Sequence, residues 1–164
     1  MKTIVKETKN KGKGVYALKD IKKGETILYL DGEIWEKENN KEYNEDTDPN
    51  GGPIGRRNNY IQYLKSESDW VYINHSCDAN SGLINDKKLI ARKDIKEGEE
   101  ITQDYSAIDI EGIKGGKKEL GMKCQCVSNN CRRIIVSYDK LDEKTKKELR
   151  PYVNSVLIKL YNLK

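Results

Sequence analysis

Three of the four cysteines in this chain fall within eight positions, Cys124, Cys126 and Cys131 in CQCVSNNC, and the fourth, Cys77, lies 47 residues upstream. No other feature restricts the fold as much. A tetrahedral zinc site closed to water takes four ligands, so C-x-C-x4-C supplies three and Cys77 completes the set with no thiol left over. Cys124 and Cys126 are too close in sequence to pair comfortably as a disulfide. If the four share one ion, the C-terminal segment is fastened to the neighbourhood of Asn74 and His75. The first residues, MKTIVKETKNKGKG, lack the apolar stretch of a secretory signal. A reducing intracellular compartment is therefore expected, cytoplasmic or nuclear/nucleoid, where cysteines serve as thiols or metal ligands rather than disulfides.

At 164 residues the chain fits one domain. Hydrophobic and charged residues each make up 35%, a globular balance with a modest core, and no apolar run is long enough to span a bilayer. The net charge of +4 is unevenly spread: residues 31–50 hold eight carboxylates against Lys37 and Lys41. That stretch reads either as a solvated acidic loop or as a surface that attracts a basic polypeptide. Elsewhere Lys and Arg are interleaved with Glu and Asp, and no basic stripe of the kind that tracks a nucleic-acid backbone is visible, GRR at 55–57 notwithstanding.

Periodicity favours strands over the first 105 residues. GVYALKDIKKGETILYLDGEIW reads as a short strand, a turn at Lys23-Gly24, and a second strand through Thr26–Leu30. KDIKKGETI at 19–27 returns as KDIKEGEEI at 93–101 with little further matching around it, so the pair reads as one turn device used twice rather than a repeat. Residues 44–59, rich in Gly, Pro, Asn and Asp, read as an irregular insertion. NYIQYL and DWVYI look like two more short strands. After Arg150-Pro151, residues Val153, Val156, Leu157, Leu160 and Tyr161 follow the spacing of an amphipathic helix, with Pro151 suited to its first turn, and Asp142 and Glu143 could start a shorter helix before it.

The one histidine, His75, lies in YINHSCDAN. Ser76 is its neighbour, but adjacent residues on a strand face opposite ways, which argues against a Ser-His nucleophile. As a zinc ligand His75 would compete with Cys77.

These residues lead to a resemblance. GKGVYALKDIKKGETI is similar to the N-terminal G-x-G motif of SET-domain protein-lysine methyltransferases. Asn74-His75-Ser76-Cys77-Asp78-Ala79-Asn80 resembles their N-H-S-C-x-P-N motif, and Gly98–Tyr105 their G-E-E-hydrophobic-T-x-D-Y. C-x-C-x4-C resembles their post-SET motif. The four occur in the family's order over roughly residues 10–138, and the short architecture looks like that of small stand-alone members.

The resemblance implies a mainly β fold of small twisted sheets with a knot-like crossing, in which the Tyr105 segment passes near Asn74–Asn80. Residues 1–121 would be the SET domain, with a variable insertion at about 36–69. Residues 122–138 would be the zinc-binding post-SET segment, with Cys77, Cys124, Cys126 and Cys131 as ligands of one structural ion, and 139–164 a C-terminal helical extension. It implies S-adenosylmethionine bound by Lys13, Gly14, Val15, Tyr72, Asn74 and His75, Tyr105 as the catalytic residue, and a substrate channel of Leu30, Gln103 and Tyr105. The activity implied is methyl transfer to a lysine of a basic protein, histone-like, chromatin or ribosomal, with no membrane and no direct nucleic-acid partner. The residue types suit it, because in-line transfer to an amine needs no protein nucleophile, only a neutral lysine held against the methyl.

Three positions depart from the family pattern. Ala79 stands where proline is usual. Leu30 stands where many members carry a channel tyrosine, and Gln103 where Phe or Tyr often governs how many methyls fit. A non-catalytic SET-like module that binds cofactor or protein is the alternative reading, and a nucleic-acid-binding zinc protein is the third.

Overall fold

The computed structural model describes residues 1–38, 51–57, 60–65, 68–108 and 122–163. Ile21 and Ile95, the isoleucines of the two KDIK turns, are wholly buried and exchange a pair of backbone hydrogen bonds, each of 2.8 Å. The surrounding polar groups are exchanged too. The Asp20 carboxylate accepts from Lys96 Nζ and the Glu97 N–H, while that of Asp94 accepts from Lys22 Nζ and the Lys23 N–H. Each turn closes on a glycine at positive φ, Gly24 at 86° and Gly98 at 81°, a conformation that costs any residue with a Cβ. The repeated nine residues are thus a device that pairs with its own copy. Truncating one half of the contact, Ile95→Ala, should cost about 2–5 kcal/mol, read as a lower urea midpoint at unchanged slope.

In chain order the strands are β1 (Thr3–Glu7), β2 (Lys13–Ala17), β3 (Thr26–Tyr29), β4 (Glu33–Glu38), β5 (Gly51–Arg57), β6 (Tyr60–Lys65), β7 (Asn74–His75), β8 (Ser81–Ile84), β9 (Lys88–Ala91), β10 (Glu100–Gln103), β11 (Met122–Lys123) and β12 (Ile134–Ile135). They form small sheets ordered β1-β2-β10-β7, β3-β9-β8, β4-β6-β5 and β11-β12. Among the described residues every strand pairing is antiparallel except that of β7 with β10, which is parallel, Thr102 opposite Asn74 and Gln103 opposite His75. The main core gathers Val15, Ile21, Ile27, Trp70, Ile73, Leu89, Ile95 and Ile101.

Three local expectations change. Within the stretch read as irregular, Gly51–Arg57 is β5, paired along β6 with a register shift between Pro53 and Gly55; residues 44–50, 58 and 59, and the greater part of the acidic stretch, lie outside the described residues. DWVY is a 3-10 turn, Asp69–Tyr72, not a strand. Tertiary contacts override its β propensity: buried Trp70 donates through Nε1 to the Asp31 carbonyl, and Asp69 accepts from Thr3 Oγ1. The shorter helix expected from Asp142 is α1 (Glu143–Leu149), but the amphipathic helix after it, α2 (Ser155–Leu160), starts later than expected, because Pro151 lies in a separate 3-10 turn, Arg150–Tyr152, and not in its first turn. Asp142 caps α1 as expected, its side chain accepting the Thr145 N–H. The late start arises because Val153 is extended and Asn154 caps α2 by accepting from the Leu157 N–H.

These helices build a second core of Ala107, Tyr138, Leu141, Leu149, Val153 and Leu157. Asn154 also donates from its main chain to Ala107 O and from Nδ2 to Ile108 O, so the C-terminal extension holds the chain just past Tyr105. Among the described residues no helix is long and apolar enough to cross a membrane.

Candidate active site and metal centre

Residues 74–81 grip strand β10 at both ends. Asn74 and His75 pair with Thr102 and Gln103, and the Ser76 N–H donates to Gln103 O at 3.0 Å. From the far end, Asn80 Nδ2 donates to Glu100 O and its Oδ1 accepts the Thr102 N–H, while Ser81 Oγ donates to Thr102 O. Two motifs some 30 residues apart are thereby locked together, and Tyr105 emerges from the crossing in a 3-10 turn over Tyr105–Ala107. Its hydroxyl donates to Ile73 O at 2.9 Å, between Tyr72 and Asn74 in the chain.

The four cysteines assemble beside this crossing. Cys77 Sγ lies 3.6 Å from Cys124 Sγ, and Cys131 is near enough to Cys124 to contribute to the upward shift of its thiol. Each sulfur accepts one main-chain N–H: Cys77 from Arg132, Cys124 from Cys126, Cys126 from Cys77, and Cys131 from Arg133, all at 3.4 Å. Such donors favour thiolate over thiol, as a metal site requires. Burial raises the Cys77 and Cys124 thiols; at Cys126 burial is outweighed by hydrogen bonds from Ser128 and Cys77, which bring it down to about 6. The ligand atoms of His75, Cys77, Cys124 and Cys126 lie within 4.8 Å of one another, placed to hold one metal ion, so by distance His75 stands where Cys131 was expected; a sulfur-rich set of four ligands suits zinc.

Asp104 and Arg132 join the metal centre to the tyrosine turn. Arg132 follows Cys131 directly, and its guanidinium reaches Asp104 through two parallel bonds of 2.8 and 2.9 Å, with a third to Ser106 Oγ. The Asp104 side chain is 2% exposed. Sequence reasoning missed this pair; the adjacency of Asp104 to Tyr105 and of Arg132 to Cys131 was its only trace. Beside them His75 is buried, and burial, only partly offset by Asp104, lowers its imidazole to about 4. The ring is therefore neutral near pH 7.

Among the residues expected to bind a cofactor, Lys13, Gly14, Tyr72 and Asn74 come together. Asn74 Nδ2 donates to Lys13 O and to Glu100 Oε1, Lys13 Nζ sits 5.1 Å above the Tyr72 ring, and Lys11 pairs with Glu100 at 2.7 Å. A Cβ on Gly14 would meet Glu100 Oε1 at 2.8 Å and Asn74 Nδ2 at 3.1 Å, so a side chain there would push the Glu100 carboxylate out of this approach. Val15 is wholly buried between β1 and β10, which leaves it main-chain contacts at most. His75 points away from this group, toward Cys77 and Tyr105, the two rings being 5.3 Å apart.

The expected channel residues are distributed differently. Leu30 packs against the main core, as does Tyr72, and Tyr29 is exposed. Gln103 is buried with Nε2 lacking a hydrogen-bond partner among the described residues. It lines a small space with Gly82, Leu149 and Tyr152, on the side covered by the C-terminal extension.

With this geometry in place, comparison with known proteins is informative. The chain is 38% identical over 77 residues to the Fusarium mangiferae histone-lysine N-methyltransferase, H3 lysine-9 specific KMT1, covering 39% of this chain and 22% of that protein. It is 32% identical over 145 residues to the Plasmodium falciparum variant-silencing SET domain-containing protein, covering 77% and 5%. The chain thus spans less than a quarter of the length of these curated relatives. Its fold is similar to that of the methyltransferase domain of human histone-lysine N-methyltransferase SETMAR, with a TM-score of 0.56 at 22% identity over 81% of this chain and 57% of that one. It is also similar to KRYPTONITE in complex with mCHH DNA, H3(1-15) peptide and SAH, with a TM-score of 0.57 at 21% identity over 80% and 29%. The family model for the SET domain matches residues 12–106, from the strand carrying Gly14 through the crossing to Tyr105, and the chain belongs to the SET-domain family.

Proposed function

We propose that this chain transfers a methyl group from S-adenosylmethionine to a lysine side chain of a basic protein. The observation that carries the reading is the placement of the Tyr105 hydroxyl on Ile73 O, which brings the end of β10 to the Lys13–Tyr72–Asn74 group. Two things support it: relatives of the chain are histone-lysine N-methyltransferases by name, and the structurally similar KRYPTONITE was solved with an H3 peptide and SAH.

When bound, the cofactor supplies an electrophilic methyl on a sulfonium. The chain's own work is to bind, align and dry the site. Main-chain groups about Lys13 and Gly14, with the Tyr72 ring and the Asn74 amide, form the cofactor side. The Tyr105 hydroxyl, fixed through Ile73, orients the incoming amine. That amine must arrive neutral, and an apolar wall lowers the pKa of a lysine ordinarily near 10.4. The division into a SET domain over 1–121, a metal-binding segment over 122–138 and an extension over 139–164 belongs to this reading. In it Cys77, Cys124, Cys126 and Cys131 hold zinc, which clamps the segment against the tyrosine turn.

Incubating the purified chain with labelled S-adenosylmethionine and a panel of histones and ribosomal proteins tests the function. Label on a lysine is expected; cofactor binding with no transfer to any protein in the panel would favour a non-catalytic module. Stripping the metal with a chelator should abolish transfer while far-UV circular dichroism keeps most of its β signal, since the main core does not include the cysteines. Gln103→Tyr should shift the ratio of mono- to higher methylation by mass spectrometry, because the new ring must displace Tyr152 or turn toward the amine. An unchanged ratio would remove Gln103 from the channel.

A further inference from the structure

The His75 side chain touches both a cysteine of the metal centre and the tyrosine turn. Its Nδ1 accepts the main-chain N–H of Tyr105 at 3.2 Å, and its Nε2 lies 3.3 Å from Cys77 Sγ. A neutral imidazole has one lone-pair nitrogen and one N–H. Since Tyr105 must donate, Nδ1 holds the lone pair and the proton sits on Nε2. The other group near Nδ1, Asp104 Oδ1, is 3.7 Å away and already takes bonds from Arg132 and the Ser106 N–H, so it does not draw a proton to that nitrogen.

A ring nitrogen that carries its proton has no lone pair for a metal. His75 therefore stands among the possible ligands by distance but is disqualified by its tautomer, leaving Cys131 as the fourth thiolate. We propose that His75 is a positioning residue, a hydrogen-bond bridge that donates to the metal-bound Cys77 sulfur and holds the Tyr105 main chain in the orientation used for methyl transfer. The second half of this statement rests on the methyltransferase reading; the first half does not. Groups that hydrogen-bond metal ligands commonly change metal affinity or activity 10–100-fold when removed.

The chain has a single histidine, so its ring nitrogens are read without mutation. In zinc-loaded, ¹⁵N-labelled wild type, long-range proton–nitrogen spectra should show protonated Nε2 and bare Nδ1. A proton on Nδ1, or an Nε2 signal shifted by the metal, overturns the bridge. Two variants then separate its halves. Asn places a polar atom where Nδ1 lies and Gln places one where Nε2 lies. His75→Asn should weaken zinc about tenfold in chelator competition while leaving the Tyr105 amide proton shift nearly unchanged. His75→Gln should hold zinc within about twofold yet move the Tyr105 amide signal and lower kcat about tenfold at constant KM. In cobalt-substituted protein the ligand-field bands should survive both changes and be altered by Cys131→Ser. Equal losses on every readout in both variants, or cobalt bands that follow His75 rather than Cys131, would refute the assignment. If wild type transfers no methyl group while the nitrogen, zinc and amide results hold, the methyltransferase reading fails and the bridge stands.

Discussion

Tyr105→Phe should reduce methyl transfer to a lysine substrate by about 10²-fold or more, the range seen when one preorganised hydrogen-bonding group is removed from a reacting centre. The loss should appear in kcat, with cofactor affinity nearly unchanged, because the residues proposed to bind the cofactor, Lys13, Tyr72 and Asn74, keep their contacts to one another and to Glu100. Stability should fall by only about 1 kcal/mol, the net worth of an ordinary hydrogen bond such as that to Ile73 O. The measurement is single-turnover transfer of labelled methyl beside a thermal melt. Transfer at full rate would exclude the hydroxyl from the chemistry; a collapse of the melt would mean that the tyrosine is a structural residue.

Arg132→Ala should be the most destabilising single change among the polar residues. It leaves Asp104 buried with a carboxylate facing no cation, and breaking a buried pair in this way costs about 3–5 kcal/mol, a large share of the 5–15 kcal/mol that holds a typical domain. Arg132→Lys should recover little, since an ammonium cannot reproduce the two parallel bonds to Asp104. The double change Arg132→Met with Asp104→Leu should regain much of the loss, because an apolar pair avoids the desolvation of two charges. Denaturant midpoints on zinc-loaded protein check the series; a double variant no better than Arg132→Ala would show that the pair is also needed for its bonds to Ser106. Arg132 also donates its main-chain N–H to Cys77, so the alanine variant should leave zinc affinity less affected than stability.

Much of the site was legible because its parts are local. The G-x-G strand, the NHSC segment, the run ending at Tyr105 and the C-x-C-x4-C cluster each place their groups within a few residues, and local spacing decides which groups share a face. The strands β2, β3, β9 and β10 emerge where alternation and β-branched residues put them. The 3-10 turn at Trp70 and the late start of α2 were not legible in this way. The first depends on an indole reaching the Asp31 carbonyl, and the second on Asn154 bonding both Ala107 and the start of α2. Partners such as these, roughly 40 residues away in sequence, leave no periodic mark.

By itself, then, the sequence determined the inventory: four thiols and no fifth, one histidine, one tyrosine at the end of a G-E-E strand, and two copies of a turn. Only the tertiary structure decided how the inventory is used. The turn copies pair with each other through Ile21 and Ile95, Asp104 meets Arg132, and His75 faces the thiols instead of the Lys13–Tyr72–Asn74 group. The reason is physical. Residue type and spacing fix what a segment can offer, but which buried donor meets which acceptor is settled when distant segments are desolvated together and every polar group among them must find a partner.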